Sequence, residues 1–300
     1  TKPAFSVVQL KGRDAATIKA TIPNDGGLYN AGNGEQTIQL KIKGPNAGFY
    51  PHFFTRQATW PSTPGWSLFA SGTTWSFSVR STTNGERRIQ TATPSVFDDR
   101  WHTLTIVIYD SMVNNVNSRW VKRFTDGVRI IETGGNETAR NLGSNYGSIE
   151  SNSPMLLGWG GDKGMGAAAF QAADVMIFNK ALTDQEVKNN LCLQDITQHP
   201  KYNNLIGYWP MNDGGFSRTA RNLAPGTNRP DFVYDGVFQW SAGEAPCAGA
   251  TPGSGSAQVL VKSVDLAANF FYWLRITAAT GWNLEGTKWL EQYEIEFVKL

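Results

Sequence analysis

The stretch Trp101-His102-Thr103-Leu104-Thr105-Ile106-Val107-Ile108-Tyr109 decides the fold. Successive side chains of a strand point to opposite faces, so Leu104, Ile106 and Ile108 share one side and Thr103, Thr105 and Val107 the other. Both sides are apolar or β-branched, which fits a central strand covered on both faces. The same period of two recurs on either side of it. Upstream, residues 36–43 place Ile38, Leu40 and Ile42 on one face, and residues 74–80 do the same with Trp75, Phe77 and Val79. Downstream, residues 119–124 and 128–132 flank Thr125-Asp126-Gly127, where glycine takes positive φ at no steric cost and closes a tight hairpin. Residues 154–159 and 172–179 read as two more strands, set apart by Gly134-Gly135 and Gly160-Gly161. Trp75, Trp101, Trp209 and Trp273 sit inside patterned segments and are expected in the core.

A helix follows. Thr183-Asp184-Gln185-Glu186 is a capping-box pattern, and Val187 and Leu191 then share a face, so a helix is expected to run to Leu193. Residues 194–204 read as a linker, and the expected boundary is at 196/197. Residues 205–211 form a short aromatic strand, residues 222–240 are turn-rich, and the Gly/Ser/Pro-rich residues 246–256 are expected to be mobile. Beyond them lie a helix-like pattern at 267–276 and a closing strand containing Tyr293, Ile295 and Phe297.

Composition excludes several classes of function. With 31 Gly, 14 Pro and only 17% charged residues, the chain suits short strands joined by turns rather than a disordered polymer. A net charge of +2 supplies no field for nucleic acid or an anionic membrane. The densest basic cluster, Arg119, Lys122 and Arg123, reads as a solvated strand face. No apolar stretch approaches the roughly 20 residues of a transmembrane helix. The two cysteines, Cys192 and Cys247, lack zinc-site spacing and fit either a disulfide or two buried thiols. The sequence opens at Thr1 without Met, which points to a piece of a longer precursor.

No catalytic constellation is found. A glycosidase needs two carboxylates flanking the scissile bond. Asp98 and Asp99 are adjacent and diverge, and Glu294 and Glu296 lie near the C-terminus without an evident cleft. The three histidines, His52, His102 and His199, accompany no Gly-x-Ser-x-Gly elbow, and no phosphate-binding glycine loop is present. What remains is aromatic surface. Sugars present apolar faces and hydroxyl edges, so they want an aromatic platform beside hydrogen-bonding side chains. Residues 50–66, read as a loop, offer Tyr50, His52, Arg56, Trp60 and Trp66 among Pro61 and Pro64. Residues 158–164 offer Trp159 and Asp162. Asp98, Asp99, Asp162 and Asp174 are the candidate ligands for one structural calcium ion, the only cofactor expected, if any.

These segments resemble a known family. Arg100-Trp101-His102-Thr103-Leu104-Thr105-Ile106, Phe124-Thr125-Asp126-Gly127-Val128 and Ala173-Asp174-Val175-Met176-Ile177-Phe178-Asn179-Lys180-Ala181-Leu182-Thr183 are similar, in order, to three motifs of laminin-G-like domains. Residues 8–23, with a turn at Lys11-Gly12, resemble the opening of such domains. Ala173 and Met176 stand where the family often has Asp and Arg. The resemblance implies an all-β, two-sheet antiparallel jelly-roll sandwich of the concanavalin A kind over residues 1–196. A small mixed α/β module, of the sort found in bacterial surface proteins, would occupy 197–300. Residues 263–286 also resemble the tail of phosphodiesterases of the alkaline-phosphatase superfamily, without their metal ligands or nucleophile.

The function this implies is non-catalytic binding of a poly- or oligosaccharide, on the bacterial cell surface, extracellularly or in the periplasm. Two alternatives stand beside it. One is an accessory region of a larger phosphodiesterase-like enzyme. The other is an adhesion module that binds other surface proteins.

Overall fold

The computed structural model describes residues 7–10, 19–90, 94–132, 138–158, 168–193, 195–213, 217–235 and 239–241. The chain divides into two compact units, 1–249 and 250–300, and the second lies wholly outside the described residues. The first unit is an antiparallel β-sandwich. Its strands are β1 (Val7–Leu10), β2 (Lys19–Ile22), β3 (Gln36–Lys43), β4 (Phe49–Gln57), β5 (Gly65–Ser71), β6 (Thr74–Arg80), β7 (Arg87–Ile89), β8 (His102–Val113), β9 (Val116–Thr125), β10 (Val128–Arg129), β11 (Arg140–Ser144), β12 (Met155–Gly158) and β13 (Phe170–Phe178). Helix α1 (Asp184–Asn189) precedes β14 (Leu205–Trp209), β15 (Thr219–Ala220), β16 (Phe232–Asp235) and β17 (Gln239–Ser241). One sheet runs β10-β9-β8-β3-β13-β1-β17, with β11 also on β9 and β14 also on β13; the other runs β15-β16-β2-β12-β4-β5-β6-β7. No described helix is long and apolar enough to cross a membrane.

Strand β8 lies between β9 and β3, with Ile106 opposite both Ile38 and Arg123. Leu104, Ile106 and Ile108 enter the core between the sheets, together with Ile38, Leu40, Ile42, Trp75, Phe77 and Val79. On the opposite face Val107 packs with Phe124, Met176, Phe178, Leu182, Val187, Leu205 and Tyr208. Helix α1 and the segment after it thus cover the outside of this sheet, which is why β8 is apolar on both sides. The strand extends four residues beyond Tyr109, because Asn114 and Asn115 both take positive φ and close a two-residue turn onto β9.

The capping box forms. The Glu186 amide donates to Thr183 Oγ1 at 3.1 Å, and the Thr183 amide donates to Glu186 Oε2 at 2.8 Å. The helix nevertheless ends at Asn189 rather than near Leu193. The Asn190 side-chain amide, as well as its backbone N–H, donates to the Glu186 carbonyl, a local bond that competes with further helical turns. Cys192 is disulfide-bonded, and Cys247, the only other cysteine of the sequence, lies outside the described residues.

Residues beyond 196 extend both sheets, so the boundary expected there falls inside the first unit. Strand β13 divides one edge between two neighbours: β1 pairs with residues 170–172, and β14 with residues 175–178. At the junction Asp174 adopts φ 45°, and the register against β3 shifts as in a bulge. Its buried carboxylate accepts from Lys41 Nζ at 2.9 Å and from the Tyr208 hydroxyl at 3.2 Å. The supposed linker is built in as well. His199 packs 4.8 Å from Phe178 and accepts from the Lys201 amide, and burial holds its pKa below the usual histidine value.

The basic cluster is also not a solvated face. Arg119 and Arg123 are buried. Arg119 pairs with Asp110 and donates to the Gly32 carbonyl; Arg123 lies over Trp75 and donates to the Gln90 carbonyl. Burial draws the Arg123 pKa down to about 10. Lys122 spans to Asp184 at 2.9 Å, tying β9 to the first turn of α1.

His102 anchors the start of β8. Its Nδ1 lies 2.7 Å from Asp126 Oδ2 and its Nε2 3.0 Å from Asp98 Oδ1. Ionised carboxylates only accept, so the arrangement favours the imidazolium, in which both ring nitrogens donate. The hydrogen bond to Asp126 raises the His102 pKa above 6.5, against an opposing effect of burial. Burial alone would raise the Asp98 carboxyl, but hydrogen bonds from His102 and the Arg100 amide leave it below 3.8. The stabilisation from His102 is therefore full below its ordinary value and lost as pH rises through the raised one. That from Asp98 is present above the ordinary carboxylate value and lost as pH falls through the lowered one. His102→Gln is expected to cost about 1.5–3 kcal/mol near pH 6 and much less at pH 9. Urea midpoints across that range check this; an equal deficit at both ends would show that the imidazolium plays no part.

Candidate functional site

Residues 50–66 are mostly strand, and only 58–64 form a loop. Two local features hid this. Tyr50 has φ 52°, and Pro51 lacks an amide to donate, so β4 shifts register twice between Phe49 and Phe54 and its alternation is broken. In β5 the alternation holds: Trp66, Leu68 and Ala70 point into the core, and Trp66 meets Phe54 edge-on at 5.0 Å. Trp66 is 1% exposed and offers no face to a ligand. Arg56 is 2% exposed and holds Asp25 in a fork, Nη1 to Oδ2 at 2.7 Å and Nη2 to Oδ1 at 2.8 Å. It also donates to Asn30 Oδ1 and to the Ser151 carbonyl, so it clamps the loop after β2 rather than facing solvent.

The other three residues come together on the outer face of the eight-stranded sheet. Ser67, Ser76 and Ser78 are small outward-facing residues on β5 and β6 that leave room above the strands, and loop 58–64 folds back into it. Trp60 Nε1 donates to Ser78 Oγ at 3.0 Å. Ser78 Oγ donates to Glu86 Oε1 at 2.8 Å, and Arg88 Nε donates to the same oxygen at 3.3 Å. The Arg88 guanidinium lies 4.8 Å from the Trp60 ring centroid and 5.6 Å from that of Phe69. His52 stacks on Phe69 at 5.1 Å, stands 5.2 Å from Trp60 and shares a hydrogen bond with Ser67. Tyr50 approaches Phe69 at 6.0 Å. Tyr50, Trp60, Glu86 and Arg88 all keep part of their surface in solvent.

The arrangement is an aromatic platform edged by one cation and one carboxylate, each held by the others. Phe69, Ser78, Glu86 and Arg88 were not legible as site residues. Of these only Ser78 carried a signal, on the hydroxyl-and-basic face of residues 74–80, opposite the Trp75/Phe77/Val79 face. His52 and its hydroxyl partner Ser67 are both buried beneath the patch, and the groups it presents to solvent, an aromatic ring beside a cation and a carboxylate, suit binding.

Trp159 and Asp162 lie outside the described residues. The remaining calcium candidates do not converge. Asp98 serves His102, Asp174 serves Lys41 and Tyr208, and Asp99 is exposed. No group of three or more His, Cys, Asp or Glu among the described residues could hold a metal ion. Of the tryptophans expected in the core, Trp75 and Trp209 are fully buried, Trp101 is half-buried, and Trp273 lies outside the described residues.

No family model matches the sequence, and no curated protein does. Solved structures do. One, from Bacteroides ovatus, is provisionally assigned as a carbohydrate-binding protein; it is 11% identical, with a TM-score of 0.54 over 82% of this chain. The match takes in 62% of that protein's length. Another is the native heptameric SAP-like pentraxin of Limulus polyphemus, 12% identical over 83% of this chain and 93% of its own, with a TM-score of 0.43. The first of these shares the sandwich fold with this chain.

Proposed function

We propose that this protein is a non-catalytic glycan-binding module that takes a poly- or oligosaccharide on the Tyr50–Trp60–Arg88 patch. One observation carries the reading. Trp60 is fixed by its bond to Ser78, and Arg88 and Glu86 are fixed beside it, so an aromatic ring and two charged hydrogen-bonding groups are presented together without reorganisation. Sugar C–H faces pack on such rings while hydroxyls bond to the charged edges, and preorganisation lowers the entropic cost of binding. The carbohydrate-binding assignment of the Bacteroides structure supports the same reading. A bacterial surface, extracellular or periplasmic setting belongs to the proposal, and the bonded state of Cys192 supports it, because disulfides persist in oxidising compartments.

The test is affinity electrophoresis and a glycan array with the wild type, Trp60→Ala and Arg88→Ala. Each variant is expected to weaken retention by roughly tenfold, about 1.4 kcal/mol, with an unchanged melting temperature. Failure of the wild type to bind any polysaccharide, or undiminished retention in both variants, would refute the reading.

A further inference from the structure

A second feature lies at the end of the eight-stranded sheet where β2 and β4 finish and β16 begins. There, Asn24, Asp25, Asn228, Arg229 and Pro230 line a shallow groove of about 410 Å³. That is within the range of small-ligand sites, roughly 300–1,000 Å³.

The Asp25, Asn24 and Pro230 acceptors of this groove are already used. Asp25 takes both arms of the Arg56 fork, and its two oxygens also accept the Gly27 and Tyr29 amides. Its charge is thereby cancelled. Asn24 Oδ1 accepts the Gly26 amide, and the Pro230 carbonyl accepts from Trp209 and Asn222. The donors are different. Arg229 spends only Nε, on the Pro225 carbonyl at 3.0 Å, and pairs with no carboxylate among the described residues. Its two terminal nitrogens and the side-chain amides of Asn24 and Asn228 have no protein acceptor there. The groove therefore combines one uncompensated cation with several unused N–H groups.

We infer that this groove binds a carboxylated sugar, a uronic-acid-type residue of a glycan. A guanidinium grips a carboxylate through two parallel hydrogen bonds, and the flanking asparagine amides suit adjacent ring hydroxyls. One cation matches a monoanion better than a phosphate, which carries up to two negative charges at neutral pH. The site shares no residue with the Trp60 patch and does not depend on it.

The test is an amide-resolved NMR titration of the full chain with D-glucuronic acid, its methyl ester, D-glucose and inorganic phosphate in parallel. Glucuronate is expected to give saturable shifts centred on Asn24, Asn228 and Arg229. The ester and glucose, which lack the charge at nearly the same shape, should bind about tenfold more weakly or less. Arg229→Gln should weaken glucuronate by about tenfold, Arg229→Lys by less, and Trp60→Ala should leave it unchanged. Absence of saturable shifts at the groove, equal binding of the ester, or tighter binding of phosphate would each overturn the inference. The ester arm needs no variant, so a misfolded substitution cannot mask the result. A failure here with Trp60-dependent glycan retention intact would leave the patch reading standing, and the reverse outcome would isolate this groove.

Discussion

Replacing Trp209 with alanine is expected to remove about 3–5 kcal/mol of stability, and a chain ending at residue 196 is expected to show no cooperative unfolding at all. Trp209 is fully buried on β14. Its ring meets Tyr29 edge-on at 5.3 Å and Phe232 at 4.8 Å, and its Nε1 donates to the Pro230 carbonyl at 3.2 Å. Gly207 two residues earlier is small for this ring: a Cβ there would stand 2.4 Å from it. Alanine at 209 therefore opens a cavity between the Tyr29 and Phe232 rings and the Gly207 backbone. A domain of this size has roughly 5–15 kcal/mol in total, so the single change takes a large share. The shorter chain loses β14, β15, β16 and β17 together, exposing the β13 edge and the apolar faces of Tyr29 and Ala20. Urea denaturation followed by far-ultraviolet circular dichroism reads both results. A loss under 1 kcal/mol in Trp209→Ala, or a sharp transition in the shorter chain, would mean that residues 205–241 are an appendage.

Arg56→Ala is expected to cost about 3–5 kcal/mol, because it strands the Asp25 carboxylate, 3% exposed, without its counter-charge. The two amides that Asp25 also accepts soften the loss but cannot neutralise it. Replacing both partners with apolar residues, Arg56→Met with Asp25→Leu, is expected to recover much of the deficit, since the desolvation of two charges then disappears. A double-mutant cycle on urea midpoints gives the coupling. Additive single losses would show that the fork contributes nothing as a pair. Loop closure is the local consequence, because Arg56 holds residues 25–30 and the Ser151 backbone against the end of β4.

The sandwich was legible wherever alternation was clean. Residues 36–43 and 74–80 are strands with those same limits, and the two-faced apolar pattern of residues 101–109 placed β8 correctly between neighbours. Alternation fails as a guide where the backbone departs from regular pleating, as at Tyr50 and Pro51, so residues 50–66 read as a loop and Trp66 reads equally as core or as a ligand contact. It failed again where charge is buried. Arg123 reads as solvent-facing until its guanidinium is seen over Trp75. The patch was only half legible for a different reason. Trp60 and Tyr50 stand out by residue type, but Phe69, Ser78, Glu86 and Arg88 reach them through cross-strand register, and spacing along one chain carries no trace of that. The extent of the first unit was hidden in the same way, since β14 and β16 are short and join the sheets through β13 and β2, more than 25 residues away.

The edge of β13 that is shared between β1 and β14 has a temporal meaning. Strand β1 pairs with residues 170–172 and 239–241, so it has no partner in its sheet until those residues have been made. Such high contact order slows folding, and it leaves open hydrogen-bonding edges in the growing polypeptide. A nascent chain of this topology is kept from closing its sandwich by its own incompleteness until residues 239–241 are in place.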